Sequence, residues 1–424
     1  MKVLSLPLLL FALLPLNSSA FVGTARLHLT RLDAARRCTG TAAATELIQR
    51  AVARGRRRLS TLLASAPLQA GESEYTVDLS IGTPPQPFSA SVDTGSDLVW
   101  TQCEPCVLCY DQRTPIFDPS KSSTFAKIPC AGELCEALER RSCNASSCHY
   151  TYNYADLSYT EGELAAESLA IGSTTVASIA FGCGSSNNGV GFSEAAGFVG
   201  LGRGKLSLIS QLGILTFSFC FTSFGSPKKG SLLLGSLPPS ANPNSSSPPS
   251  TVSTPILLNS FRPSFYYISL KGITVGTTRL DIPSSAFAIR NDGSGGMIID
   301  SGTSITFLEY AAYAKVEEAF SSQIKNLSST DESVFDLDLC YELPTADAAP
   351  ETLGLPRLVL HLEGGDVELS PASLFGVDGE TRSMCLMMAA SNGLSVFGNF
   401  QQQSTVVMYD LGNEKLSIIQ GSQC

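Results

Sequence analysis

The chain has 424 residues, of which 43% are hydrophobic and 16% charged, and its formal net charge at pH 7 is −10. This length exceeds one ordinary domain and supplies a sizeable core. No apolar run beyond the N-terminus reaches the roughly 20 residues that cross a bilayer. The acidic balance argues against nucleic-acid binding. The composition therefore favours a protein of more than one domain without a nucleic-acid partner.

The first 20 residues have the pattern of a secretory signal peptide. Lys2 is the positive start, residues 3–16 are mostly apolar, and residues 18–20 are small, as a cleavage site requires. The alternative is a membrane anchor, but the apolar stretch is short for a span and contains a proline. We therefore predict that residues 1–20 are removed and exclude them from the fold.

Residues 21–70 form a basic leader with nine Arg, no Lys and two acids. Apolar residues recur at helical spacing between positions 47 and 63. From residue 71 onward the chain has 18 basic and 36 acidic residues, a formal charge of about −18. A basic helical leader before an acidic body predicts a pro-segment held by electrostatic attraction. The alternative is a disordered linker with an incidental basic run.

From residue 75 onward the pattern predicts strands. Tyr75, Val77, Leu79 and Ile81 alternate with polar residues, and a Gly-Thr-Pro-Pro turn follows at 82–85. A second strand-like run occupies residues 267–273. Each run precedes an apolar segment and then an acid, a hydroxyl, a glycine and a second hydroxyl in the same order: Asp93-Thr94-Gly95-Ser96 and Asp300-Ser301-Gly302-Thr303. One such turn is weak evidence, whereas two in matched settings indicate a duplicated architecture.

A third element also repeats, because two apolar residues and a glycine occur at 198–200 and at 396–398. The pattern predicts a mostly β protein of two related lobes with short helices, one of them containing Tyr310, Tyr313, Val316 and Phe320. The stretch 236–255 is rich in Pro, Ser and Asn and is typical of an exposed connector. We therefore assign residues 71–250 to an N-terminal lobe and 251–424 to a C-terminal lobe.

The cysteine count predicts disulfides. Thirteen Cys are present, and removal of the leader with Cys38 leaves twelve, which behind a secretion signal indicates six pairs. The spacing of Cys103, Cys106 and Cys109 also fits zinc or an iron–sulfur cluster, but the predicted compartment is oxidising and the chain has three His. The symmetric spacing of residues 130, 135, 143 and 148 suggests nested pairs, although four Cys permit three pairings.

Three sequons in polar stretches predict glycosylation at Asn144, Asn244 and Asn326.

The two Asp turns supply the residues that amide hydrolysis by water requires. The reaction needs a base that activates water and an acid that protonates the leaving nitrogen. Two carboxylates held close together share one proton, because both cannot ionise readily, and so they serve both roles. Gly95 and Gly302 allow close backbone approach, Thr94 and Ser301 are placed to brace the turns, and Ser96 and Thr303 to bond the outer carboxylate oxygens. This chemistry needs no cofactor and no metal.

Other interpretations of these residues have less support. Each turn taken alone is an ordinary Asp-Gly turn in a β-protein. A Ser/His/Asp hydrolase has only His149 and His361 outside the leader, and the chain lacks the Gly-x-Ser-x-Gly elbow. The glycine-rich run 200–204 lacks the helix and Lys of a phosphate loop.

With these turns the chain resembles the pepsin-like aspartic proteases, and in particular the nepenthesin-like branch of plants, over nearly all of residues 71–424. The strings that carry the resemblance are 93–100, 116–120, 181–184, 299–303 and 397–403 with 409–411, and residues 103–148 are similar to the Cys-rich insertion of that branch. The resemblance implies a bilobal fold with a cleft. It also implies disulfides Cys103–Cys106, Cys109–Cys183, Cys130–Cys148, Cys135–Cys143, Cys220–Cys424 and Cys340–Cys385.

The resemblance further implies a β-hairpin flap over the cleft. Residues 154–158, which include Ala155 and Asp156, occupy the place of the family's flap string, with Tyr154 as the flap tyrosine and Trp100 as its indole partner. Both glycines of that string are replaced, by Ala155 and Leu157, which resist positive φ. We expect a stiffer or differently shaped flap turn.

The function expected from these features is that of a secreted acid aspartic endopeptidase made as a zymogen, with Asp93 and Asp300 activating water. Polypeptides are the expected substrates, and we expect a monomer without a membrane anchor. The expected location is extracellular (the apoplast), with the vacuole as the alternative. The competing hypothesis is a binding protein of the same fold, similar to the plant xylanase inhibitors, but both Asp turns are intact here.

Overall fold

A computed structural model of the chain describes residues 24–31, 49, 52, 75–154, 157–189, 192, 194–223, 226, 228–235, 250–330 and 337–421. Strands are the most common regular structure among these residues, as the alternating patterns predicted. The strands are β1 Ala25–Arg31, β2 Tyr75–Ile81, β3 Gln86–Asp93, β4 Trp100–Gln102, β5 Ala126–Lys127, β6 Arg141–Asn144, β7 Ser147–Asn153, β8 Tyr159–Ile171, β9 Thr174–Asn188, β10 Gly197–Gly200, β11 Thr216–Cys220, β12 Gly230–Leu234, β13 Ser250–Pro255, β14 Tyr267–Ile268, β15 Leu270–Val275, β16 Thr278–Arg279, β17 Met297–Ile299, β18 Thr306–Glu309, β19 Cys340–Glu342, β20 Leu358–Leu362, β21 Gly365–Leu369, β22 Phe375–Asp378, β23 Ser383–Leu386, β24 Met388–Ser391, β25 Ser395–Phe397, β26 Val406–Asp410 and β27 Lys415–Gln420.

The helices that the structure describes from end to end are short, apart from one. They are α1 Glu133–Glu136, α2 Leu208–Leu212, α3 Tyr310–Gln323 and α4 Pro371–Leu374, with 3₁₀ turns at Pro119–Lys121, Ser284–Phe287 and Pro350–Thr352. Helix α3 confirms the helix predicted after the second Asp turn, and its inner face buries Tyr313, Val316 and Phe320. Tyr310, counted with that face from its spacing, is exposed. None of the described helices is long and apolar enough to cross a membrane.

One large sheet joins the N-terminal lobe to strands from the end of the chain. Within the described residues its order is β13-β27-β26-β11-β12-β1-β2-β3-β10-β4-β9-β8-β7-β6. The C-terminal lobe adds the sheets β14-β17-β25-β18-β24, β16-β15-β20-β21 and β19-β23-β22. Some strands, such as β1, β7 and β20, bury alternate residues. The strands beside the Asp turns, β10, β17 and β25, bury every residue, so these turns start from the interior of the protein.

The duplication seen in the sequence is a duplication of strand pairing. β10 lies parallel to β3 with Gly200 opposite Asp93, and β25 lies parallel to β17 with Phe397 opposite Ile299. A Cβ added to Gly200 or to Gly398 would lie 2.3 Å or 2.2 Å from backbone atoms of the facing turn. The apolar-apolar-glycine repeat therefore marks two places where a strand passes directly behind an Asp turn.

The leader contributes a strand that its helical interpretation did not anticipate. β1 lies between β12 and β2, with Leu27 opposite Leu232 and Leu29 opposite Val77. Its apolar residues alternate with polar ones, a signal that the sequence contained. Gln49 and Val52 are helical, and Val52 is buried in an apolar cluster of the C-terminal lobe. The rest of the predicted leader helix and the signal peptide lie outside the described residues.

The disulfide pairing differs from the predicted one at four pairs. The structure joins Cys103–Cys183, Cys106–Cys109, Cys130–Cys143 and Cys135–Cys148, so the predicted pairs Cys103–Cys106, Cys109–Cys183, Cys130–Cys148 and Cys135–Cys143 are wrong. The Cys340–Cys385 pair is confirmed.

Tertiary packing explains the differences. β4 runs parallel to β9, which brings Cys103 beside Cys183. In the insertion, the two buried residues Cys135 and Cys148 pair, while Cys143, the partner of Cys130, is exposed. Cys220 is disulfide-bonded, and its predicted partner Cys424 lies outside the described residues.

Candidate active site

Both Asp turns begin where a buried strand ends. Asp93 is the last residue of β3, and Asp300 follows β17 directly. In each turn the glycine N–H donates to the carboxylate two residues before it, with Gly95 N to Asp93 Oδ1 and Gly302 N to Asp300 Oδ1 both at 2.9 Å. Both Asp residues are fully buried. A buried carboxylate needs such donors, because desolvation otherwise penalises its charged form.

The two turns are joined by reciprocal hydrogen bonds between the lobes. The Ser301 N–H donates to Thr94 Oγ1 at 2.9 Å, and the Thr94 N–H donates to Ser301 Oγ at 3.0 Å. Ser301 Oγ also donates to the Val92 carbonyl at 3.3 Å. These bonds place residues 207 positions apart in direct contact, as the matched motifs predicted. The turns therefore form one site at the junction of the lobes.

The outer hydroxyls behave differently on the two sides. Thr303 Oγ1 donates to Asp300 Oδ2 at 2.7 Å, in agreement with the predicted positioning role. Ser96 Oγ is buried and makes no hydrogen bond to the described part of the chain, so the predicted bond from Ser96 to Asp93 is not formed. Serine lacks the second Cβ substituent that restricts threonine to few χ1 values, so its hydroxyl is less firmly directed.

A polar segment behind the second turn supports it, and sequence reasoning did not assign it a role. Asn399 Nδ2 donates to the Ser301 carbonyl at 2.9 Å, and Asn399 N donates to the Thr303 carbonyl at 2.7 Å. Gln402 Nε2 donates to the carbonyls of Phe397 and Asp300 at 2.7 and 3.2 Å. The sequence signal that could have identified this segment is its run of amide side chains directly after an apolar strand, because buried amides need hydrogen-bond partners.

The predicted flap tyrosine and its indole partner are in contact. Trp100 Nε1 donates to Tyr154 Oη at 2.5 Å, and both side chains are buried among Tyr152, Phe192 and Phe198. Burial is the main cause that raises the pKa of Tyr154 well above its usual value, with Tyr152 and Asp93 as further causes. The tyrosine therefore remains a neutral hydroxyl, and its pKa responds to the first Asp.

The flap turn lies between β7 and β8. Tyr154 N donates to the Ser158 carbonyl at 2.8 Å, and Leu157 N donates to the Tyr154 carbonyl at 3.1 Å. Leu157 has a φ of 72° and is 76% exposed, so the turn keeps a left-handed residue where the sequence has no glycine. Ala155 and Asp156 lie outside the described residues. Leu157 was expected to resist positive φ, but it adopts it, so the glycine replacement at this position produces a strained leucine.

Among the predicted glycosylation sites, Asn144 and Asn326 are exposed, and Asn244 lies outside the described residues. Their modification stays a prediction.

Comparisons with known proteins find relatives over most of the chain. Family models described as Xylanase inhibitor N-terminal and Xylanase inhibitor C-terminal match residues 75–236 and 265–420. The chain is 46% identical to "Aspartic proteinase nepenthesin-1" of Nepenthes gracilis, with 89% of this chain and 86% of that protein covered. It is 35% identical to "Aspartyl protease 37" of Oryza sativa subsp. japonica, with 97% of each covered.

Solved structures of the same fold are more distant in sequence. The crystal structure of Basic 7S globulin from soybean superposes with a TM-score of 0.66 at 19% identity, covering 95% of this chain and 98% of that one. The crystal structure of edgp gives a TM-score of 0.65 at 19% identity, covering 93% and 94%. At this identity the likeness concerns the fold alone.

Proposed function

Since the chain belongs to the pepsin-like aspartic proteases, in their nepenthesin-like plant branch, we propose that it is a secreted acid endopeptidase made as a zymogen. Asp93 and Asp300 activate a water molecule that attacks the scissile carbonyl of a polypeptide. The observation that supports this best is the reciprocal pair of hydrogen bonds between Thr94 and Ser301, which holds two carboxylate-bearing turns side by side.

The proposed chemistry follows from two carboxylates that share one proton. The ionised group removes a proton from water as the water attacks, while the protonated group donates its proton to the carbonyl oxygen. The resulting tetrahedral intermediate collapses when the leaving nitrogen is protonated, and no covalent enzyme intermediate forms. The shared proton belongs to the pair, because two neighbouring negative charges are unfavourable. This sharing restricts activity to acidic pH.

Tyr154, held by Trp100, is the proposed substrate-side residue of the flap. The phenol is buried in this structure, so it packs against bound peptide and excludes water only after the flap has moved. Leu157, exposed at the flap tip, adds an apolar surface on the same hairpin.

The zymogen part of the proposal is supported by the leader's contacts with both lobes. Strand β1 hydrogen-bonds to β12 and β2, and Val52 is buried in the cluster that contains Phe265 and Tyr267. Release of the leader therefore requires that these strand pairings and apolar contacts be broken. Its Arg residues attract the acidic body at neutral pH, and protonation of carboxylates weakens that attraction.

A test of the function is digestion of haemoglobin or casein between pH 2 and 7, with and without pepstatin. Asp93→Asn and Asp300→Asn are each expected to abolish digestion, since one carboxylate cannot serve as both acid and base. Asp378→Asn is a matched control, since Asp378 is a buried turn Asp in another sheet. Digestion that survives in either variant of the pair would exclude the dyad as its source.

The same protein tests activation and the alternative function. Exposure of the purified zymogen to pH 3–4 is expected to produce a new N-terminus between residues 60 and 75.

Two family models that match the chain are described by the words xylanase inhibitor, which supports a binding protein as the second candidate. A chain without proteolysis that inhibits a xylanase would establish that candidate instead.

A further inference from the structure

The glycine-rich run 200–204 encloses a buried carboxylate. A Cβ on Gly202 would lie 2.4 Å from Asp97 Oδ1, and one on Gly204 would lie 2.1 Å from Asp97 Oδ2. At distances below 3 Å a Cβ at either position would push the Asp97 carboxylate out of its present place, so the two glycines allow the loop to close around it. The run is therefore shaped around this carboxylate.

Asp97 connects the two lobes through its two oxygens. Oδ1 accepts a hydrogen bond from Gly204 N at 2.8 Å, and Oδ2 accepts one from the hydroxyl of Ser264, 167 positions away in the C-terminal lobe. The Ser264 carbonyl in turn accepts from Arg203 N at 3.1 Å. One carboxylate and one loop thus hold a segment of the opposite lobe.

The same loop holds the first Asp turn. Leu201 N donates to the Asp93 carbonyl at 2.7 Å, and Gly202 N donates to the Ser96 carbonyl at 2.9 Å. The Asp97 N–H donates to Tyr152 Oη at 3.1 Å, and Tyr152 lies on the strand that leads to the flap. The loop around Asp97 therefore contacts the Asp93 turn at two carbonyls, and Asp97 itself contacts the strand that leads to the flap.

The surroundings of Asp97 favour an uncharged acid. Burial is the main cause that raises its pKa, against the lowering effect of the bonds from Ser264 and Gly204. The titratable groups that sense its charge are Glu139, Tyr152 and Tyr266. An asparagine can make the same two bonds, because its oxygen accepts from Gly204 and its amide donates to the Ser264 oxygen.

We propose that Asp97 is a positioning residue for the catalytic pair. By bonding the loop 200–204 and Ser264 together, it fixes the Asp93 turn relative to the lobe that carries Asp300. This inference rests on the proposed proteolytic function and assigns Asp97 no contact with substrate.

The test compares Asp97→Ala, Asp97→Asn and Ser264→Ala in the acid-activated full chain. Asp97→Ala is expected to lower kcat at least tenfold with KM changed less than twofold, since it disturbs alignment and not binding. Asp97→Asn is expected to recover most of that loss, and Ser264→Ala to lie between the two. Asp378→Ala, which removes another buried turn carboxylate, is expected to lower thermal stability without lowering kcat.

The outcomes separate this inference from the function on which it rests. A wild-type chain without proteolysis refutes the function, whereas an active wild type with normal kcat in Asp97→Ala refutes only the positioning role. A loss in Asp97→Asn as large as in Asp97→Ala also overturns it, because the bonds and not the charge are proposed to matter. If Asp97→Ala does not fold, Ser264→Ala decides, and hydrogen exchange of the 200–204 amides must then be faster than in the wild type.

Discussion

Replacement of Ser301 by alanine tests whether the brace between the two Asp turns aligns the proposed dyad. The Ser301 hydroxyl accepts from the Thr94 N–H at 3.0 Å and donates to the Val92 carbonyl at 3.3 Å. Both partners are backbone groups beside Asp93, and the whole site is buried. Alanine leaves these two groups without their partner, while the bond from Ser301 N to Thr94 remains.

The expected loss of stability follows from the two groups left unpaired. A buried donor or acceptor that loses its partner costs about 1–3 kcal/mol, and the Val92 bond is long and contributes at the lower end. We expect Ser301→Ala to lower the free energy of unfolding by roughly 2–3 kcal/mol. If about 1.4 kcal/mol of alignment is lost in the transition state, kcat falls about tenfold.

The assay combines urea unfolding with kcat and KM for a peptide substrate at acidic pH. Ser301→Thr is the matched control, because it keeps the hydroxyl and is expected to keep the brace. A variant Ser301→Ala with stability and kcat both equal to those of the wild type would contradict an aligning role for this residue, since the brace would then carry no alignment energy.

Three further predictions concern a hydrogen bond, a backbone conformation and a buried acid. Tyr154→Phe removes the acceptor for the Trp100 indole, so we expect a loss of roughly 1–3 kcal/mol in unfolding free energy and a shift in emission from the single tryptophan; unchanged emission would contradict the contact. Leu157→Gly is expected to be near neutral, because relief of about 1 kcal/mol of left-handed strain offsets the roughly 0.5–1 kcal/mol entropy cost of glycine. Leu215 is also exposed but has no positive φ, so Leu215→Gly measures the entropy cost of glycine alone. Equal changes in the free energy of unfolding in the two variants would exclude backbone strain at Leu157. Finally, burial raises the pKa of Asp97 in the folded chain, so the folded chain holds this proton more tightly than the unfolded chain does. The resulting stabilisation is complete below the unfolded pKa of about 3.9 and is lost as pH rises through the folded pKa. Relative to wild type, Asp97→Asn should gain stability between pH 3 and pH 6 in urea titrations, and a difference independent of pH would show that Asp97 has no raised pKa.

The repeated order of strand, Asp turn and apolar-apolar-glycine was readable from the sequence because each element is local. Alternation at Tyr75 to Ile81 depends on a period of two, and the turn at Asp93 depends on residues two or three positions apart. Two copies of a local pattern were enough to predict a duplicated β fold and the residues of the dyad.

Other features depended on which distant segments meet. The strand Ala25–Arg31 was missed because its alternation became meaningful only when β12 and β2 were found on either side of it. The resemblance paired Cys103 with Cys106, and this was wrong because the pairing of Cys103 with Cys183 depends on β4 running along β9, which the sequence does not show.

Residue order alone was sufficient to predict two acids in matched turns of a two-lobed β protein. The way in which those turns are held became visible only in the packed chain, through the bonds between Thr94 and Ser301 and through Asp97 in its glycine enclosure. This difference arises because a hydrogen bond depends on the distance and angle between atoms, which a linear order of residues does not specify until the chain has packed.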